Sequence, residues 1–131
     1  MKKFQVSTTD QTITIDITRQ VQKIVSKSNI TNGVCYIFIP HTTAAVTINE
    51  NADPDVQSDI IMEINKIVPF NDNYRHMEGN SAAHIKASTF GASEMVIVEN
   101  MMLKLGTWQS IFFCEFDGPR NRQVWVKLIS E

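Results

Sequence analysis

Between Gly33 and Pro40 the chain reads GVCYIFIP, eight residues without a charged side chain. The run is far too short to cross a bilayer, which takes about 20 apolar residues. Its β-branched and aromatic content favours a strand. A continuous apolar run of this kind is expected of a central strand buried on both faces. That one segment commits the chain to a packed sheet, and 131 residues fit a single domain, 1–131, with one real core.

The flanking segments read differently. FQVSTT (4–9) and TITIDI (12–17) alternate apolar and polar residues, as half-exposed strands do, with Asp10-Gln11 as the turn. Thr18 is placed to cap a first helix in which Val21, Ile24 and Val25 share a face. That helix ends in Asn29 to Gly33, and AVTINE (45–50) alternates again. Asp53-Pro54 reads as N-cap and first helical residue of a second helix, with Val56, Ile60, Ile61, Ile64, Ile67 and Val68 as its apolar stripe. A long polar loop, 71–84, precedes a short helix at 82–90 that stops near Gly91. Strands at 95–98, 107–116 and 123–129 follow, the last two joined by a turn at Gly118-Pro119. The expected fold is α+β: a compact, mostly antiparallel sheet with two main helices packed on one face.

Composition removes several functions. The net charge of −2 argues against nucleic acid or an anionic membrane as a bulk electrostatic partner. Met1-Lys2-Lys3 leads into FQVSTTDQT, which has no apolar core of a signal peptide, so a cytoplasmic protein is expected. Cys35 and Cys114 fall in apolar runs and read as buried reduced thiols. Trp108 and Trp125 read as core packing. There is no Gly-rich phosphate loop, Walker motif or G-x-S-x-G elbow.

The chemistry-bearing residues lie at element ends and in the polar loop. His41 follows the apolar strand, His76 lies in the loop, and His84 opens the short helix. Each has an ordinary structural reading. Three in polar settings, near Asp53, Asp55, Asp59 and Glu78, also suit a metal or phosphate site. Asn49-Glu50-Asn51 sits on a strand-to-helix connection, a common place for sites, while Asp53 has a helix to cap. Arg120 and Arg122 project the same way from an extended chain, as a clamp for phosphate or carboxylate, or as a solvated hairpin tip. Lys86 reads as an anion binder or an exposed residue. Gln109 and Glu115 share a strand face but lie about 20 Å apart, too far to serve one compact site in one chain.

HTTAAVTINENADPDVQSDI (41–60), HIKAS (84–88), LGTWQ (105–109) and CEFDGPRNR (114–122) together resemble the YjbQ family, also described as secondary thiamine-phosphate synthase enzymes. The resemblance covers nearly the whole chain. It implies a compact α+β domain that assembles as a homotrimer. It also implies a weak thiamine-phosphate synthase activity, joining a pyrimidine-methyl pyrophosphate to a thiazole phosphate with release of pyrophosphate. The matching polar positions are His41, Thr42, Thr43, Asn49, Glu50, Asn51, Asp53, Asp55, Asp59, His76, Gly79, Asn80, His84, Lys86, Gln109, Glu115, Arg120 and Arg122.

On this resemblance His41, Glu50 and His84 are the expected catalytic groups. Thr42, Thr43, Asn49, Lys86, Gln109, Arg120 and Arg122 are the expected substrate and phosphate ligands. His41, His76 and His84 would hold a divalent metal, zinc or magnesium or manganese, with no organic cofactor. Arg120, Arg122 and Lys86 are the cations available to a departing pyrophosphate. The enzyme usual for this reaction resembles a (β/α)₈ barrel of about 250 residues, so the activity here would sit on an unrelated scaffold. The alternative is a non-catalytic trimer that binds a metal or a small phosphorylated metabolite.

Overall fold

The computed structural model describes all residues, 1–131. Eight strands and three helices follow in the order β1 (Lys2–Ser7), β2 (Ile13–Asp16), α1 (Thr18–Lys27), β3 (Gly33–Phe38), β4 (Ala44–Glu50), α2 (Pro54–Ile67), α3 (Ser81–Phe90), β5 (Ser93–Glu99), β6 (Met102–Leu103), β7 (Gln109–Glu115) and β8 (Asn121–Ser130). The fold is α+β and every strand pairing is antiparallel. The strands divide between two sheets rather than forming one. A five-stranded sheet runs β1-β8-β3-β5-β6, and a three-stranded sheet runs β2-β7-β4.

Period-two alternation explains why the sheets stack. Val6, Cys35, Ile37, Val96, Val98, Val124 and Val126 of the large sheet meet Ala44, Val46, Ile111 and Phe113 of the small one in the main core. Val21 and Val25 of α1 enter that same core. The other face of the small sheet presents Ala45, Phe112 and Cys114, which α3 covers with Ala83 and Ala87. Alanines on α3 let its backbone sit close to β4. Helix α2 packs beyond it, with Ile64 and Val68 against Ala82, Phe70, Tyr74 and Phe90. The helices therefore do not share one layer, as the sequence suggested: α1 belongs to the inter-sheet core, α2 and α3 to the far side of the small sheet.

Four local expectations need correction. GVCYIFIP is buried on one face only. Cys35 and Ile37 are fully buried, whereas Tyr36 and Phe38 are 43% and 44% exposed, because nothing in the chain covers the outer face of the large sheet. Thr18 is not a cap. It is the first helical residue, and its hydroxyl accepts the Ile111 backbone N–H while Asp16 accepts the Thr18 N–H. The α2 stripe is mostly half-buried or exposed, with only Ile64 buried inside the helix, because α2 packs on α3 and the loop rather than on a sheet. Neither tryptophan is core: Trp108 is exposed, and Trp125 lies on the outer face of β8 between Phe38 and Lys3.

The remaining local readings hold. Asp53 accepts the Asp55 N–H at 2.9 Å and Pro54 opens α2. Helix α3 ends at Gly91, whose φ of +103° is open to glycine and costly for other residues. Cys35 and Cys114 are free and buried, and burial pushes both thiols up to about 12. No helix is long and apolar enough to cross a membrane.

Candidate functional site

Strands β4 and β7 carry the expected site residues and also separate them. Ala44 pairs with Glu115 at one end of the ladder, and Glu50 pairs with Gln109 at the other. Six residue steps put the two ends about 20 Å apart. Asn49, Glu50 and Gln109 lie at one end, while His41, Thr42, Thr43, Glu115, Arg120 and Arg122 lie at the other. One chain does not bring them into one site.

At the Glu115 end the chain builds a buried ionic network. Glu115 is fully buried and Arg122 is 3% exposed. Arg122 donates from Nε to Glu115 Oε1 at 2.9 Å and from Nη2 to Oε2 and to Thr43 Oγ1, the last at 2.8 Å. Glu115 also accepts the Thr8 hydroxyl at 2.8 Å and the Asp117 N–H at 3.1 Å. Burial alone would raise the Glu115 carboxyl, but these donors outweigh it and hold the group below its ordinary value. Gly118 closes the network. A Cβ there would lie 2.3 Å from the Asp10 carbonyl oxygen and 2.8 Å from Glu115 Cγ.

This network corrects two expected ligands. Thr43 and Arg122 are buried and already bonded to each other, so they hold the scaffold and do not clamp a phosphate. Arg120 is half-exposed but bridges to Asp117, through the carbonyl at 2.9 Å and the carboxylate at 3.2 Å. Asp117 also takes the Asn80 amide at 2.9 Å, which ties the start of α3 to this end. Thr42 is exposed beside them.

His41 accepts the Gln123 backbone N–H on Nε2 at 2.9 Å. Burial first, then the nearby Arg122 guanidinium, holds the imidazole below its ordinary value. The ring is therefore neutral with its proton on Nδ1, and Nε2 is occupied. His76 and His84 form a separate pair, edge to face, with ring centroids 5.5 Å apart. His76 Nε2 lies 3.8 Å from Glu78. No group of three or more His, Cys, Asp or Glu side chains is placed to hold a metal ion. The expected three-histidine centre is thus not assembled by one chain, because His41 faces β8 while His76 and His84 face each other.

The histidine pair lines an open cleft of about 400 Å³ between the polar loop and α3, together with Tyr74, Arg75, Ser81 and Ile85. The loop that forms one wall is anchored from beneath. Phe70 and Tyr74 pack on α2 and α3, and the Tyr74 hydroxyl donates to the Pro69 carbonyl. Arg75 and His76 are left facing solvent. Arg75 takes part in no ion pair and is the cation of this cleft. The sequence reading missed it, although its place directly before His76 in the polar loop was a usable signal.

Lys86, two residues beyond His84, is fully buried and cannot reach a solvent-borne anion. Its ammonium donates to the Asn65 side chain and sits 3.8 Å from the centre of the Phe70 ring. Burial lowers it to about 8. It joins α2, α3 and the start of the loop. At the opposite end Glu50 is half-buried, and Gln109 accepts the Gly106 N–H at 2.8 Å. Asn49 is exposed there, and Asn51 donates to the buried Ser110 hydroxyl.

A family model described as "UPF0047 protein YjbQ-like" matches residues 2–131. The UPF0047 protein YugU of Bacillus subtilis is 52% identical over 130 residues, covering 98% of each chain. A UPF0047 protein of Methanocaldococcus jannaschii is 47% identical, covering 98% of this chain and 94% of its own. Among solved structures, a YjbQ/UPF0047 protein of Clostridium acetobutylicum superposes with a TM-score of 0.97 at 52% identity, covering 98% of this chain and 100% of its own. A YbjQ-like protein of unknown function from Sulfolobus solfataricus gives 0.95 at 38% identity, covering 99% of this chain and 96% of its own.

Proposed function

The chain belongs to the YjbQ-like UPF0047 family, and on that premise we propose that it is a small cytoplasmic enzyme acting on phosphorylated small molecules, with thiamine-phosphate synthase chemistry. The observation that carries the reading is the open cleft in which His76, His84 and the unpaired Arg75 converge. Two titratable rings and a guanidinium in one cleft suit a substrate whose phosphate charge changes during reaction. In the transfer, the C–O bond to the pyrimidine-methyl carbon breaks and pyrophosphate leaves with the electron pair. The thiazole nitrogen forms the new C–N bond. Arg75 offsets the charge that collects on the leaving group, and His84 donates a proton or hydrogen bond to it.

Glu50, Asn49 and Gln109 lie too far away to join this cleft in one chain. A homotrimer, with sites lined by two subunits, accounts for that separation. The exposed apolar face of the large sheet supports such an assembly. Tyr36, Met95 and Ile97 lie on it with Phe38 and Ile129, and the register makes them neighbours. A divalent ion on the His76–His84 pair would need a further ligand, which a trimer would supply from a second subunit. Elemental analysis of wild type beside His76→Ala and His84→Ala tests this: a stoichiometric metal lost in both variants supports an intersubunit centre.

The same separation favours a second reading, a non-catalytic trimer that binds a phosphorylated metabolite. The deciding experiment supplies pyrimidine-methyl pyrophosphate and thiazole phosphate and measures thiamine phosphate formed. The enzyme reading expects turnover that falls at least tenfold in Arg75→Ala and in His84→Ala, with circular dichroism unchanged. Absence of turnover, with calorimetric binding of the thiazole phosphate lost in the same variants, establishes the binding reading instead.

A further inference from the structure

A second cleft, remote in the chain from the histidine pair, opens where the C-terminal half of α1 parts from the start of β1 and the end of β8. Its volume is about 440 Å³. Val126, fully buried, forms its base, and Ile24 and Leu128 flank it as half-buried margins of the main core. Lys2 and Lys27 line the same cleft, whereas Lys127, paired with Tyr36 between Trp125 and Ile129, turns its side chain to the outer face of the sheet. No acidic residue lines the cleft, and neither Lys2 nor Lys27 is in an ion pair.

Lys27 has an ordinary role, since it sits in the last turn of α1 and complements the helix dipole. That account does not extend to Lys2, which comes from β1 and pairs with Val126. Two uncompensated cations therefore flank an opening into the core, on a chain whose net charge is −2. Like charges held together cost free energy unless an anion relieves them. An apolar floor stabilises an apolar body and gives nothing to a naked phosphate. Nucleic acid would need a basic stripe along the surface rather than one cleft.

We propose that this cleft binds a small amphipathic carboxylate, with its apolar body on Ile24, Val126 and Leu128 and its carboxylate between Lys2 and Lys27. The proposal is independent of the chemistry assigned to His84 and Arg75, and its test uses no activity assay.

Octanoate, 1-octanol and inorganic phosphate are titrated by calorimetry into the full-length protein in its native assembly. Octanoate binds saturably, one per chain, and 1-octanol and phosphate bind at least tenfold more weakly. Lys2→Glu/Lys27→Glu weakens octanoate at least tenfold, whereas Lys66→Glu/Lys104→Glu, elsewhere on the surface, leaves it within twofold. Methyl resonances of Ile24 and Leu128 shift on binding. Equal affinity for 1-octanol, equal loss in the two lysine variants, or shifts confined to Ile97 and Ile129 on the outer sheet face would each overturn the proposal, as would the absence of saturable binding.

Discussion

Arg122→Met tests whether the ionic network at the end of β7 holds the fold. The substitution keeps much of the apolar stem and removes the charge. Glu115 then loses both Arg122 donors but keeps Thr8 and the Asp117 N–H, and Thr43 loses the Nη2 bond. Glu115 is fully buried, so water cannot replace the guanidinium. Stranding one partner of such a pair costs about 3–5 kcal/mol. With a slope of roughly 2 kcal/mol per M, the urea midpoint falls by about 2 M. The measurement is urea unfolding followed by circular dichroism at pH 7 and fixed protomer concentration, since assembly stabilises by mass action. The pH dependence follows from the sign of the shift. The folded Glu115 carboxyl lies below its unfolded value, so its stabilisation is present above about pH 4.3 and is lost as pH falls through the folded value. In Arg122→Met the orphaned carboxyl titrates higher, and protonation relieves it. The gap between wild type and variant therefore narrows between pH 6 and pH 4. A loss below about 1 kcal/mol at pH 7, or a gap that widens on acidification, refutes the reasoning.

Other perturbations have equally definite outcomes. Lys86 has a folded value of about 8, below the roughly 10.4 of an unfolded lysine, so the unfolded chain binds more protons between them and stability rises with pH over that window. Urea midpoints at pH 7.5 and 9.5 rise in wild type, and the rise attributable to Lys86 disappears in Lys86→Met. Gly118→Ala places a Cβ against the Asp10 carbonyl and the Glu115 stem and costs about 1–3 kcal/mol by overpacking, measured by the same denaturation. Ile97→Glu puts a charge in the exposed apolar face of the large sheet. Light scattering reads it as monomer if that face is a subunit contact, and an unchanged mass removes the contact from the face.

How much of this was legible in the sequence differs by level. Alternation at 4–9, 12–17 and 45–50 and the Asp53-Pro54 start of α2 reported element type well, because period and capping are local properties. GVCYIFIP was read as covered on both faces because an apolar run does not say what covers it. Tyr36 and Phe38 point outward, where only another molecule can pack. Thr18 had the right residue type for a cap, but its hydroxyl was taken by the Ile111 N–H, a partner 93 residues away. Among site residues, the polar loop and its histidines stood out as chemistry. The identity of the free cation did not. Arg122 and Lys86 look like anion ligands in sequence, yet both are buried and already partnered, while Arg75 is the one left in the cleft.

The sequence by itself determined the class of the protein: one α+β domain, the type and order of its main elements, its buried free thiols, and its family through motifs in order. Those follow from local periodicity and from residue types that are hard to mistake. Only the tertiary structure decided that the strands split into two sheets, that His76 and His84 pair while His41 does not, and that about 20 Å separates Glu50 from Glu115. The reason is physical. A charged side chain means one thing in water and another when folding buries it beside an opposite charge, and burial is decided by residues far away in the chain.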